Sequence, residues 1–121
     1  MANPNIVTVT SILGETVGAV ATTSFADLVE NSAGSNKVYK INSLIASNVS
    51  LLNAVDFSVN LVRGGNSYAV VSNLSIPTTS SVVAISRDHG MYLQEGDKFQ
   101  IKASEATSIE IVCSYEVISW N

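Results

Sequence analysis

Charge is what this chain has least of. Of its 121 residues only 13 % are Asp, Glu, Lys or Arg, against about 25 % in an average soluble domain. Six basic side chains and a net charge of −4 would release too few counterions from a duplex to support nucleic-acid binding. No nucleic-acid partner is expected. A single cysteine, Cys113, excludes an intrachain disulfide and a cysteine-based zinc site; it reads as a small core residue. Uninterrupted apolar runs are also missing. The opening MANPNIVTVTSILGETVGAV interleaves Thr and Ser with its apolar residues and has no basic start, so it reads neither as a signal peptide nor as a membrane span. The expectation is a protein made and kept soluble in the cytosol, with no membrane partner.

What is present is period-two patterning. Runs rich in Val, Ile, Thr and Tyr recur between Gly, Asn, Asp and Ser clusters, and no segment sustains a helical rhythm. IVTVTSIL (6–13) and TVGAVATT (16–23) flank Gly14 and Glu15, which predicts a tight two-residue hairpin. FADLVENSAGSN is less regular and allows a short helical turn before a loop over 31–36. KVYKINSLIASNV (37–49) predicts a long central strand, with Tyr39, Ile41, Ser43 and Ile45 alternating against Lys40, Asn42, Leu44 and Ala46. Phe57, Val59 and Leu61 share a face until Gly64, Gly65 and Asn66 break the run, the strongest hairpin signal in the chain. Pro77 marks a boundary before SVVAIS (81–86), because a missing N–H is tolerated only at an edge or in a connection. Phe99, Ile101 and Ala103 alternate with Lys98, Gln100 and Lys102, and Ile109, Ile111, Cys113, Tyr115 and Val117 alternate with Glu110, Ser114 and Glu116. The sum is an all-β single domain over 1–121. The fold class is an antiparallel β-sandwich of jelly-roll or Greek-key type, with about eight strands in two sheets.

The one acidic corner is MYLQEGDKFQIKAS (91–104), which sets Glu95 and Asp97 on either side of Gly96, close after Arg87, Asp88 and His89. Gly96 is free to take positive φ, and Asp97 can bond local amides, so a turn accounts for each residue. A calcium loop needs further oxygen ligands at regular spacing that this stretch lacks. His89 beside Asp88 has the makings of a general base, yet no GxSxG, HExxH or phosphate-binding loop accompanies it. No catalytic, cofactor-binding or metal residue is therefore expected, and no enzyme activity or cofactor. Phe57, Phe99 and Tyr115 read as core. Tyr68, Tyr92 and Trp120 read as rim or contact residues, the raw material for a carbohydrate platform only if they converge. Trp120 either folds back over a sheet end or reaches a neighbouring subunit.

Four stretches together carry a resemblance: the opening MANPNIVTVTSILGETVGAV, the strand KVYKINSLIASNV, the connection SIPTTSSVVAIS, and the ending from MYLQEGDKFQIKAS to VCSYEVIS. They resemble small virion structural proteins of tailed bacteriophages, notably those infecting marine cyanobacteria. The resemblance implies an assembly role in a virion put together in the host bacterial cytoplasm. Its partners would be the major capsid protein or other virion proteins. Capsid decoration comes first; a neck or tail ring and a carbohydrate-binding host-recognition module are the alternatives. With lysine only at 37, 40, 98 and 102, the sheet edges are sparsely defended, which suits self-association as a trimer or ring. Residues 1–13 are expected to act as an N-terminal strand or as an arm that adds to a neighbour's sheet.

Overall fold

Residues 9–86, 88 and 90–120 are described in a computed structural model of the chain. They form nine strands: β1 (Val9–Val20), β2 (Ala26–Glu30), β3 (Lys37–Asn48), β4 (Val55–Arg63), β5 (Asn66–Ile76), β6 (Ser81–Ile85), β7 (Met91–Leu93), β8 (Lys98–Ala103) and β9 (Ile109–Trp120). One sheet runs β1-β9-β3-β6, with β7 also paired to β3; the other runs β2-β8-β4-β5. Every ladder is antiparallel. The pairing is nested about the β4–β5 hairpin: β3 pairs with β6 and β7, β2 with β8, and β1 with β9. The all-β sandwich expected from alternation is the fold observed.

The core lies between the sheets. Phe57, Val59, Phe99, Ile101 and Ala103 come from the second sheet, and Ile41, Leu44, Ala46, Ile109, Ile111 and Cys113 from the first, all at most 2 % exposed. Burying each large aliphatic or aromatic side chain contributes about 1.5–3 kcal/mol. Strand β8, and β9 as far as Val117, bury every second residue as their alternation requires, and Ile118 is buried as well. The β4–β5 turn is also as expected: Arg63 pairs with Asn66 across Gly64 and Gly65 at φ 60° and 79°, the left-handed pair that a two-residue hairpin needs. Pro77 falls in the connection from β5 to β6.

Three expectations are corrected. Gly14 and Glu15 do not close a hairpin: β1 is one continuous strand, and Ser11 to Val20 pair residue by residue with Ser119 to Glu110 of β9. Gly14 is not among the positive-φ glycines, and a twelve-residue partner strand offers more ladder bonds than a local turn would. The segment after Phe25 makes no helical turn; Ala26–Glu30 is β2 and pairs with β8. In β3 the strict alternation fails at a bulge between Ile41 and Ser43. The extra residue shifts the phase, so Ile41, Leu44 and Ala46 all reach the core while Ser43 and Ile45 are only half-buried.

Candidate functional site

The acidic corner is a structural joint. Gly96 has φ 87°, and the Asp97 N–H donates to the Gln94 carbonyl at 3.0 Å, closing the expected turn between β7 and β8. Asp97 is fully buried, and its carboxylate has three donors. Arg63 Nε reaches Oδ1 at 2.9 Å, Arg63 Nη2 reaches Oδ2 at 2.5 Å, and the Gln94 N–H reaches Oδ2 at 2.8 Å. The bidentate fork ties the end of β4 to the turn, and the Asp97 hydrogen bond raises the Arg63 guanidinium above its ordinary value. Glu95 is occupied too, accepting from the Asn36 N–H at 2.9 Å. Arg87 and His89 lie outside the described residues. Among the described residues no group of three His, Cys, Asp or Glu side chains lies close enough to hold a metal.

Two buried asparagines lock the ends of β3, a role that composition did not reveal. Asn31 Nδ2 donates to the Lys37 and Leu93 carbonyls at 2.8 and 3.0 Å, and its Oδ1 accepts from Ser35 Oγ at 2.6 Å. At the other end Asn48 Nδ2 donates to the Asn53 and Ile76 carbonyls at 3.0 and 2.8 Å. Its Oδ1 accepts from the Ser50 N–H at 2.9 Å. Among the described residues every buried side-chain polar atom has a partner. The only sequence signal for these locks was an Asn in or beside an apolar run, which a solvated loop shows equally well.

Cys113 is fully buried, and burial pushes its thiol up to about 12, so no reactive thiolate forms near neutrality. The Tyr115 hydroxyl donates to Glu15 Oε2 at 2.9 Å, and its ring stacks on Tyr39 with centroids 5.2 Å apart. Burial first, then the Glu15 carboxylate, raises the Tyr115 phenol. Phe57, Phe99 and Tyr115 are core, as expected. The rim aromatics are divided: Tyr92 on β7 and Trp120 on β9 belong to the first sheet, Tyr68 on β5 to the second. They do not share one sheet face. The Trp120 N–H donates to the Asn36 carbonyl at 3.0 Å, which fastens the end of β9 to the β2–β3 loop.

The surface carries the remaining features. Ile12 and Leu13 are both more than half exposed at the start of β1. Leu51 and Leu52 stand out at 81 % and 86 % exposure. Their loop is braced by Asn48 and by Ser50 Oγ, which accepts from the Leu52 and Asn53 N–H groups at 3.2 Å. Val20, Val83 and Val112 are exposed on the first sheet. A shallow depression of about 290 Å³, lined by Gly18, Val20 and Val112 among others, lies on that sheet. Among the described residues no helix is long and apolar enough to cross a membrane.

No family model matches the chain, and no curated protein matches it in sequence. Solved structures do resemble it. A protein of Bacillus endospore appendages, described as a family of disulfide-linked pili, aligns at TM-score 0.55 and 17 % identity over 92 % of this chain and 90 % of its own. A protein of the T13 IBDV viral particle aligns at TM-score 0.52 and 11 % identity over 90 % of this chain, which spans 31 % of that protein. A pentameric capsid protein isolated from metagenomic phage sequences aligns at TM-score 0.40 and 13 % identity over 87 % of this chain and 62 % of its own, below the level at which a fold is shared. At these identities the first two likenesses concern the fold alone.

Proposed function

We propose that the chain is a virion structural protein of a tailed bacteriophage, and within the virion a capsid decoration protein that binds the outside of the head lattice and stabilises it. The sandwich is of jelly-roll type, as the nested pairing around β4–β5 suggests. The observation that carries the reading is the surface. Apolar residues stand exposed on a long, nearly uncharged strand and on a braced loop, an arrangement suited to contact. The likeness to a protein of the IBDV particle supports the same class of role. The major capsid protein is the partner, many modest contacts add by avidity across the lattice, and residues 1–13, of which 1–8 lie outside the described residues, act as an arm to a neighbouring subunit. The purified protein should bind preformed heads saturably, and heads without it should rupture at lower temperature. Absence of the protein from purified virions by mass spectrometry would sink the reading.

A second reading rests on the appendage protein, whose likeness extends over nine-tenths of both chains. It makes this chain the repeating subunit of a fibre. The single cysteine is buried, so a fibre of this chain would be held by strand pairing rather than by disulfides. Electron microscopy of the concentrated protein separates the two: filaments of unlimited length favour the fibre, discrete particles the decoration role.

A further inference from the structure

The edge strands are β1, β6 and the three-residue β7 in the first sheet and β2 and β5 in the second, and they are not alike. β2 and β6 are five residues long, and β2 carries Asp27 and Glu30. β5 is long but broken by register shifts. There Asn73 takes φ 49° and its N–H is held by Ser58 Oγ at 2.9 Å. Short length, charge and bulges are the devices that keep edges from pairing. From Ser11 to Val20 β1 is neither short nor bulged, and its pairing with β9 is uninterrupted. It holds no lysine and no proline, and its one charge, Glu15, accepts the Tyr115 hydroxyl. Among the described residues no strand pairs with its other side.

Its side chains also lack cover on both faces. Leu13 pairs with Val117 on the core-facing side yet is 53 % exposed. On the outer side Ile12 is 59 % and Val20 48 % exposed. The sequence ILGETVGAV (12–20) is close to a palindrome about Thr16. Ile12 mirrors Val20, Leu13 mirrors Ala19, and Gly14 mirrors Gly18. In an antiparallel ladder, residues directly opposite point to the same face, so a two-fold axis at Thr16 would set Ile12 of one copy against Val20 of the other. It would also set glycine against glycine and threonine against threonine. Only the Glu15–Val17 pair departs from the mirror, and a second copy of the strand supplies the matching order.

We propose that the free edge of β1 is a homodimer interface: two copies pair β1 to β1 antiparallel, in register about Thr16, joining their five-stranded sheets into one. The contact is isologous and closed. It satisfies the unpaired backbone groups of both edges and covers Ile12 and Val20 of each copy. The dimer does not depend on the virion reading; a protein never found in particles would leave it intact.

Two measurements on the full-length protein test it. Sedimentation velocity should find a concentration-dependent dimer, and Thr16→Lys, which brings two ammonium groups together at the axis, should weaken it at least tenfold. The exposed Thr16 side chain bonds the Ser114 hydroxyl at 3.1 Å, so the variant's fold should survive, as circular dichroism would verify. Thr16→Cys should form a disulfide-linked dimer on mild oxidation, since opposed Cβ atoms in such a ladder lie about 4.5–5.5 Å apart. Val83→Cys, also exposed but on β6, should not. Buried Cys113 does not compete. A protein that stays monomeric at high concentration, a dimer indifferent to Thr16→Lys, or Thr16→Cys linking no faster than Val83→Cys would overturn the proposal. The last result is also what an N-terminal arm lying on this edge would produce.

Discussion

Cys113 shows how one buried atom sets a pH limit. Its thiol has an ordinary value of 9.0 and is pushed up to about 12 by burial. The unfolded chain therefore gives up this proton first, and the folded state holds more protons at alkaline pH. The contribution is fully present below about pH 9 and is lost as pH rises toward the folded value. Tyr115, raised by burial and by Glu15, acts in the same direction at still higher pH. Urea unfolding should give a stability that is level up to pH 9 and declines above it. Cys113→Ala should be less stable near neutrality but lose less on going from about pH 9 to 10. An identical alkaline slope in both proteins would contradict the assignment. At this scale the sequence was legible where a side chain is plainly apolar: Cys113, Phe57 and Phe99 read as core and are core. The Arg63–Asp97 fork was not legible, because the two residues lie 34 positions apart and only the antiparallel neighbours β4 and β8 bring them together.

At the scale of elements, two glycines with equal space around them behave differently. A Cβ added at Gly14 or at Gly96 meets nothing within 4 Å, yet Gly96 sits at φ 87° and Gly14 is not in the left-handed region. Gly96→Ala should cost about 1–2 kcal/mol. Gly14→Ala should be neutral or stabilising by up to about 1 kcal/mol, since glycine inside a strand wastes backbone entropy. Thermal melts of the two variants check both, and a costly Gly14→Ala would restore the hairpin that Gly14 and Glu15 suggest in the sequence. That hairpin failed because local turn chemistry is weak against a full-length partner. β9 offers β1 a directly opposed partner at every position from Ser11 to Val20, half of them hydrogen-bonded pairs. The β3 bulge was hidden for a related reason. A phase slip at Asn42 leaves both halves alternating, and nothing in either half says that they alternate out of step. By contrast, the Gly64–Gly65 turn and the β8 and β9 patterns were readable, because a hairpin turn and a half-buried strand are local devices.

The whole molecule is built from distant pairings. β1 at the beginning pairs with β9 at the end, and the nested order places the β4–β5 hairpin innermost. Folding therefore pays for loop closure before most contacts form, and the expected time is in the range of milliseconds to seconds. Stopped-flow refolding followed by Trp120 fluorescence should show this, and equilibrium unfolding should be one cooperative transition by fluorescence and by circular dichroism. Microsecond refolding or two separated transitions would disprove the single-body account of the sandwich.

By itself the sequence determined the class of fold and the chemical temper of the surface. Period-two burial needs only neighbours two apart in the chain, and the scarcity of charge is written in composition alone. The tertiary structure decided which strands meet. It made β1 one strand instead of two, turned Asp97 from an acidic-turn residue into the anchor of Arg63, and placed Asn31 and Asn48 in the interior. Among the described residues it also left β1 as the long edge without a bulge. Those outcomes depend on partners far along the chain, where hydrogen bonds and burial are shared between segments that carry no mark of each other.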